Sequence, residues 1–217
     1  MISFKNASPI MLTIWILLFL AALVALVLSQ WSLAFVSLGT LALSLVPPVL
    51  ASRWSLHLPV SFLVAATVFL FATIFLGEAF DFYERLWWWD LAMHLSSAIG
   101  FGLLGFLFVF MLFEGDRFAA PPSALAVLAF CVAMTIGALW EVFEFLMDQT
   151  FGLNMQKSGL NDTMGDLIIN GFGSALASLT GYLYLVRGSG GLLGHALSQF
   201  ISLNKRLYRR YKHRFHK

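Results

Sequence analysis

Acidic and imidazole side chains recur at helical spacing inside or beside long apolar runs of this sequence. Asp90 and His94 are four residues apart, which places both side chains on one face of a helix, with His94 about 6 Å farther along it. Glu141, Glu144 and Asp148 follow at i, i+3 and i+7, which is again a single face. The spacing therefore predicts two helices that each carry a polar stripe.

A third stripe begins with Asn161 and continues through Asp162, Asp166 and Asn170, the last three at successive steps of four residues. An ionised carboxylate that faces lipid near the bilayer centre costs roughly 3 kcal/mol. We therefore expect all three stripes to turn inward to one shared polar cavity. There a cation neutralises the carboxylates, or some of them retain protons.

Many carboxylates beside one imidazole are the ligands that Mg, Mn, Ca or a carboxylate-bridged iron pair prefers, whereas structural Zn favours Cys and His. A divalent metal would polarise a phosphoryl or carbonyl oxygen or generate hydroxide from water. Glu141, Glu144 and His94 are the candidate catalytic acids and bases. The candidate metal ligands are Asp90, His94, Glu141, Glu144, Asp148, Asp162 and Asp166.

Structural roles compete with this chemistry. Asp90, Asn161 and Asp162 stand where helices begin, so each is also expected as a helix cap. Alternatively, His94 is a hydrogen-bonded core residue, and Glu141 and Glu144 form a purely structural hydrogen-bonded pair. Lys157, in the loop before the third stripe, would either bind an anionic head group or pair with Asp148. We predict a substrate-binding role for Lys157, Asn161 and Asn170.

The composition places these stripes in a membrane. Of the 217 residues, 60% are hydrophobic and 11% are charged, against about 25% charged in soluble domains. The single cysteine, Cys131, excludes an intrachain disulfide framework or a thiolate metal cluster. The first apolar stretch, residues 10–28, is too long for an ordinary secretory signal, so we predict a retained span.

Six apolar runs are long enough to cross a bilayer: residues 10–28, 31–47, 58–77, 91–113, 122–147 and 164–186. Pro47-Pro48 is expected to end the second span, and Pro121-Pro122 to begin the fifth. The sequence thus predicts an all-α polytopic transmembrane bundle of about six spans. Residues 1–187 form its transmembrane domain, and 188–217 form an amphipathic basic tail.

Charge sets the orientation. Six spans place both termini on one side, together with the loops of Arg53 and Arg117. That side carries eleven of the thirteen Lys and Arg, and only Arg85 and Lys157 lie opposite. The positive-inside rule therefore predicts that both termini are cytoplasmic. Trp87-Trp88-Trp89 would mark the outer interface, so the three stripes gather near the extracytoplasmic face.

The tail alternates cations with aromatic residues after a segment, 192–203, whose Leu193, Leu197, Phe200 and Ile201 share one helical face. Such a segment is expected to lie on anionic lipid. No folded nucleic-acid motif accompanies the charge, so membrane lipid is the predicted partner and nucleic acid is not.

Three segments carry a resemblance to known families: Trp88-Trp89-Asp90 with His94, residues 140–148, and Asn161-Asp162-Thr163 with Asp166. They resemble the bacterial YjdF-like inner-membrane family. More distantly, Asp166, Asn170 and Gly173 are similar to a motif of the VanZ-like family, which is associated with glycopeptide resistance. The resemblance implies a multi-pass protein of the bacterial inner membrane that is linked to the cell envelope.

The chain departs from the VanZ-like pattern at three points, one of which is that the arginine upstream of the aspartate in the last motif is not evident. Leu91 stands where those proteins have Lys, and Glu144 where they have Gln. No activity is carried over from either family.

Three functions fit the stripes. The first is a metal-assisted enzyme that acts on a lipid or lipid-linked envelope substrate from the outer leaflet. The alternatives are a proton- or cation-coupled transporter, for which protonatable stripes are also required, and a nonenzymatic scaffold that a cation stabilises.

Overall fold

The computed structural model describes residues 8–113, 120–188 and 190–205, and over these ranges it contains helices and no strand. The elements are α1 (Pro9–Val27), α2 (Trp31–Arg53), α3 (Val60–Leu70) with a π-helical continuation (Phe71–Ala79), α4 (Phe82–Arg85), α5 (Trp89–Leu112), α6 (Pro122–Phe151), α7 (Leu160–Arg187) and α8 (Gly191–Leu203). The predicted all-α fold class is confirmed. The chain divides into two compact units, Met1–Trp89 and Asp90–Lys217.

Five of these helical segments are long and apolar enough to cross a membrane: Pro9–Val27, Trp31–Arg53, Val60–Ala79, Trp89–Leu112 and Pro122–Phe151. Large apolar side chains point outward along them, and Phe35 and Leu139 are 79% and 61% exposed. Water would make such a surface costly, whereas lipid chains cover it without penalty.

Helix α7, the sixth predicted span, is less apolar than these five and is not among them. At 28 residues it is about 42 Å long, enough for a bilayer. Its outward stripe is apolar, with Ile168, Phe172 and Leu176 at intervals of four residues. The opposite face of α7 carries polar or small side chains, which lower the mean hydropathy of the helix. That α7 crosses the membrane stays a prediction.

The prediction that Pro47-Pro48 ends the second span is wrong, because α2 continues through both prolines to Arg53. Each proline lacks one backbone donor. Ending the helix inside an apolar medium would leave more backbone groups without partners than continuing it does.

Unit 1 contains α1 to α4. Ile14 and Leu18 of α1 pack on Phe75, which belongs to the π-helical continuation of α3. The hydroxyls buried in this unit are satisfied within their own helices: Ser37 donates to Leu33 O, Thr40 to Val36 O, Ser44 to Leu41 O and Thr67 to Leu63 O, at 2.7–2.8 Å.

Unit 2 contains α5 to α8 and is assembled through small residues. A side chain at Gly173 of α7 would stand 2.7 Å from Ala98 Cβ and 2.9 Å from Leu95 O of α5. Gly102 of α5 is as tightly covered by Ala177 of α7. Such close approach needs glycine, since even a methyl group would force the helices apart.

The C-terminal segment forms α8, which packs against α7 and buries Gly194 and Leu197 while Leu192 is exposed. A helix over this segment is thus confirmed, whereas its predicted position on anionic lipid stays a prediction. Most of the predicted basic tail, residues 206–217, lies outside the described residues, as do Lys5, Glu114, Asp116 and Arg117. The predicted domain limits, 1–187 and 188–217, stay a prediction.

Candidate metal centre

Three helices of unit 2 bring their polar stripes together around His94. Asp90 and His94 come from α5, Glu141 and Glu144 from α6, and Asp166 and Asn170 from α7. All except Asp90 are buried, and the Asp90 side chain is 21% exposed. The helical spacing explains why each pair shares one face of its own helix, because its members lie three or four residues apart. The packing of the three helices then turns those faces toward one another.

The imidazole ring of His94 stands between two acidic pairs. Its Nε2 lies 3.6 Å from Asp90 Oδ1 and 3.8 Å from Asp166 Oδ2. Its Nδ1 lies 3.6 Å from Glu141 Oε1, and the Asn170 amide nitrogen is 3.4 Å from the same ring nitrogen. Each ring nitrogen therefore faces carboxylate oxygen.

These nitrogen–oxygen distances exceed those of good hydrogen bonds, which are about 2.7–3.2 Å. Neighbouring ligands of an ion bound at about 2.1 Å stand roughly 3.0–3.4 Å apart. The ligand atoms of the cluster all lie within 4.8 Å of one another in each of two groups. Small side-chain movements would thus bring three ligands onto one cation.

Three buried oxygens of the cluster accept no hydrogen bond from the part of the chain that the structure describes. They are both carboxylate oxygens of Glu141 and Oδ2 of Asp166. The hydroxyl of Thr163 is near Glu141 but outside hydrogen-bond geometry. A buried acceptor without a donor is costly, so these oxygens require a proton or a cation.

The two candidate ligand groups share His94. One consists of Asp90, His94 and Asp166, and the other of His94, Glu141 and Glu144. A neutral imidazole offers a lone pair on only one nitrogen and carries hydrogen on the other. A neutral His94 can therefore serve one group as a ligand while its second nitrogen donates to the acid of the other group.

Glu144 has a partner that the sequence analysis did not identify. The indole Nε1 of Trp140 donates to Glu144 Oε1 at 2.9 Å. The sequence does contain a signal for this contact. Trp140 and Glu144 are four residues apart, and side chains at i and i+4 are neighbours on a helix. This bond holds the glutamate on the inner side of α6.

Asp148, a predicted metal ligand, lies in neither ligand group among the described residues. Its carboxylate oxygens accept hydrogen bonds from the backbone N–H of Met155 at 2.7 Å and of Gln156 at 2.9 Å. The side-chain amide of Gln156 in turn donates to Thr163 Oγ1 at 2.6 Å. Asp148 thus holds the α6–α7 loop, a role that helical spacing alone does not indicate.

The remaining predicted residues stand at the edge of the cluster. Asp162, half-buried in the first turn of α7, and Lys157, half-buried in the loop, are close enough to act electrostatically on Asp90 and Asp166. Asn161 is exposed. The N-cap position of α7 is Gly159, so Asn161 and Asp162 lie inside the helix and neither occupies the predicted cap position.

Comparison with known proteins places the chain in a membrane-protein family. The family model described as "Predicted membrane protein (DUF2238)" matches residues 11–187. The chain belongs to this family. The matched range includes every residue of the His94 cluster and four of the five candidate spans in full, together with the first span from residue 11 onward.

A relative in Thermotoga maritima, described as "Uncharacterized protein", is 30% identical over 108 residues. The match covers 50% of this chain and 54% of the relative, so the chain spans about half the length of that protein. No solved structure matches the chain significantly.

The polar face of α7 continues beyond the cluster. Ser174 and Ser178 extend the series of Asp166 and Asn170 at steps of four residues, and both hydroxyls are buried without a hydrogen-bond partner. One turn farther, Phe106 covers Gly181. The polar stripe thus reaches two turns past Asn170 and then meets an aromatic ring.

Proposed function

We propose that this family member binds a divalent cation at the His94 cluster and uses it to hydrolyse a lipid or lipid-linked substrate of the cell envelope. The observation that carries the proposal is the set of buried carboxylate oxygens on Glu141 and Asp166 that face His94 without a donor. Carboxylates in an apolar environment need compensation by positive charge or protons, and an imidazole in their midst favours a metal.

The preferred ligands are Asp90, His94 through Nε2, and Asp166. Asp90 is the partly exposed member of the cluster, so this side of the imidazole is the one that an ion and a substrate can reach. With Nε2 bound to the ion, Nδ1–H donates toward Glu141, an arrangement in which a carboxylate orients a metal-binding histidine. The amide of Asn170 can accept from the same N–H if its oxygen is turned toward the ring, because the two amide ends are nearly isosteric.

Three protein ligands leave coordination positions for water and for a substrate oxygen, as in catalytic rather than structural metal sites. Asp90, His94 and Asp166 would hold the cation, which would supply an acidified water molecule. A carboxylate of the cluster would take a proton from that water as its oxygen forms a bond to the phosphorus or carbonyl carbon of an ester. The same proton would then pass to the leaving oxygen as the ester bond breaks. No oxidant or reductant is required.

The cluster's proposed place near the extracytoplasmic face rests on the charge-derived orientation, in which both termini are cytoplasmic and the membrane is the bacterial inner membrane. The YjdF-like resemblance supports the same location. Substrate would then arrive from the outer leaflet, at head-group depth.

A strain that lacks the gene tests the enzyme directly. Its envelope lipids and lipid-linked intermediates are compared by mass spectrometry after complementation with wild type or with Asp166→Asn. We expect one lipid class to accumulate in the deletion and to return to normal only with wild type. An unchanged profile in the deletion strain, or full rescue by Asp166→Asn, would contradict hydrolysis at this site.

A proton- or cation-coupled transporter is the second candidate, and the buried hydroxyls of Ser174 and Ser178 favour it because they continue the polar stripe. The ring of Phe106 over Gly181 closes that stripe, which favours the enzyme. Ion flux in reconstituted vesicles separates the two. Flux that disappears in both Asp166→Asn and Ser178→Ala would support transport, whereas no flux above empty vesicles would exclude it.

A further inference from the structure

The loop between α6 and α7 is held at both ends by its backbone conformation. Gly152, with φ +67°, ends α6, and Gly159, with φ +63°, precedes α7. This left-handed conformation suits glycine and strains other residues. The loop therefore leaves and enters its helices in defined directions.

Three hydrogen bonds, two to Asp148 and one to Thr163, fix the middle of the loop. Asp148 accepts both backbone hydrogen bonds from Met155 and Gln156, and the Gln156 side chain donates to Thr163 on α7. Bonds to a carboxylate are among the stronger hydrogen bonds of proteins. This short loop is thus tied to the two helices that carry Glu141 and Asp166.

Lys157 directly follows the anchored Gln156. It is half-buried and lies within electrostatic range of Asp90 and Asp166, the acids on the Nε2 side of His94. The other Lys and Arg of the described part of unit 2 are Arg187, at the far end of α7, and Lys205, after α8. The loop therefore places its cation at the side of the cluster that is partly open.

A divalent cation bound by Asp90 and Asp166 balances the charge of those two acids, and Lys157 then adds positive charge beside them. A phosphate group uses both features, because one oxygen can bind the metal while another accepts from the ammonium group. Asp162, which acts on Asp90 and Asp166 from the same edge of the cluster, adds negative charge there and would oppose phosphate binding. A neutral ester would gain little from an ammonium group fixed in this position.

We propose that the α6–α7 loop is a substrate-binding element and that Lys157 binds a phosphate group whose other oxygen contacts the cation. This inference rests on the cation site proposed above and narrows its substrate to a phosphate ester. Asp148 is then a positioning residue, which holds the loop without contacting either the cation or the phosphate.

Phosphorus NMR of the full chain in detergent micelles, loaded with Mn²⁺, tests the inference. The probes are inorganic phosphate and short-chain phosphatidic acid, and short-chain diacylglycerol serves as the phosphate-free competitor. Bound Mn²⁺ broadens the resonance of any phosphate that it contacts. The variants are Lys157→Gln and Lys157→Arg, with Lys205→Gln, at an exposed lysine beyond α8, as the matched control.

We expect Lys157→Gln to weaken phosphate binding at least tenfold while Mn²⁺ affinity is unchanged or rises. Lys157→Arg should retain most of the affinity, and Lys205→Gln all of it. Asp162→Asn should strengthen phosphate binding, because it removes a negative charge from the edge of the cluster near Asp90 and Asp166. Broadening of only the phosphatidic acid signal assigns a lipid source, and broadening of only the inorganic signal assigns a soluble one.

Asp148→Asn distinguishes positioning from metal binding. A positioning role predicts weaker phosphate binding with unchanged Mn²⁺ affinity, whereas loss of Mn²⁺ affinity would make Asp148 a ligand and contradict its assignment here. If wild type binds Mn²⁺ but phosphate binding is absent or indifferent to Lys157→Gln, the inference is overturned and the cation site stands. If wild type binds no Mn²⁺, the proposed function itself fails.

Discussion

The two units bury polar side chains in different ways. In unit 1, Ser37, Thr40 and Thr67 each donate to the carbonyl four residues earlier, so their hydrogen bonds are complete within one helix. In unit 2, Glu141 and Asp166 are equally buried but have acceptor oxygens without donors, and their neighbours come from other helices.

This difference separates structural from functional polarity. A hydroxyl that bonds to its own helix costs little in an apolar medium and requires no partner. Carboxylates that meet an imidazole across helices are expensive unless something outside the protein neutralises them. The comparison therefore predicts that substitutions in the His94 cluster change cation binding, while substitutions of the unit 1 hydroxyls do not.

The largest effect is expected for His94→Ala. Both candidate ligand groups contain this imidazole, so its removal should lower Mn²⁺ affinity by at least about 100-fold. Isothermal titration of protein in micelles measures the change. His195→Ala, at an exposed histidine of α8, is the matched control and should bind as wild type does. Equal affinities of wild type and His94→Ala would remove the cluster as the binding site.

Asp166→Asn and Glu144→Gln distinguish the two ligand groups. Because Asp166 is a preferred ligand and Glu144 is not, we expect Asp166→Asn to weaken Mn²⁺ binding about 10- to 100-fold and Glu144→Gln to have a smaller effect. The reverse order would place the ion on the Nδ1 side of His94, with Glu141 and Glu144.

Glu141→Gln tests whether the cluster is merely structural. Saturation with Mn²⁺ at about 100 times the dissociation constant should stabilise wild type by about 2.7 kcal/mol. We expect the variant to lose part of this stabilisation without lower stability in chelator, since its buried carboxylate has no donor to lose. Unfolding by a denaturing detergent, with and without Mn²⁺, measures both quantities. If Glu141→Gln were less stable than wild type in chelator but gained the same stabilisation from Mn²⁺, the two glutamates would be a structural hydrogen-bonded pair.

Gly173→Ala tests how far the cluster depends on close helix packing. The new methyl group would meet the carbonyl of Leu95, the residue after His94, and Ala98, one turn farther along α5. Overpacking of this kind costs about 1–3 kcal/mol. Mn²⁺ affinity should fall severalfold as α5 and α7 separate. Gly171→Ala meets nothing within 4 Å and is the control on the same helix. Equal stability of the two variants would show that this contact does not set the spacing.

The smallest effect is expected for Thr67→Val in unit 1. The lost bond to Leu63 O lies within one helix, so stability should change by less than about 1 kcal/mol and Mn²⁺ affinity should not change. Detergent unfolding and titration measure the two. A loss of cation affinity here would contradict the separation between the units.

The sequence was sufficient to predict the helices and the meeting of Asp90, His94, Glu141 and Asp166, because hydrophobic runs set the spans and spacings of three and four set the faces. It did not predict the continuation of α2 past Pro47-Pro48, since the cost of ending a helix in lipid outweighs two missing donors.

The contacts of the α6–α7 loop could not be predicted from the sequence either. Asp148 shares the face of Glu141 and Glu144, yet it accepts from backbone N–H groups seven and eight residues later. Such a contact depends on the path of the loop, for which helical spacing holds no information. The same reason applies to the bond between Gln156 and Thr163.

Electron paramagnetic resonance of Mn²⁺ added to the metal-free full chain decides whether the His94 cluster binds a cation, because it reports both the number of bound ions and any coordinated histidine nitrogen. We expect one tightly bound Mn²⁺ per chain, with a nitrogen coupling that disappears in His94→Ala. No bound Mn²⁺, or bound Mn²⁺ whose spectrum shows no nitrogen coupling or is the same in His94→Ala, would contradict cation binding by this cluster.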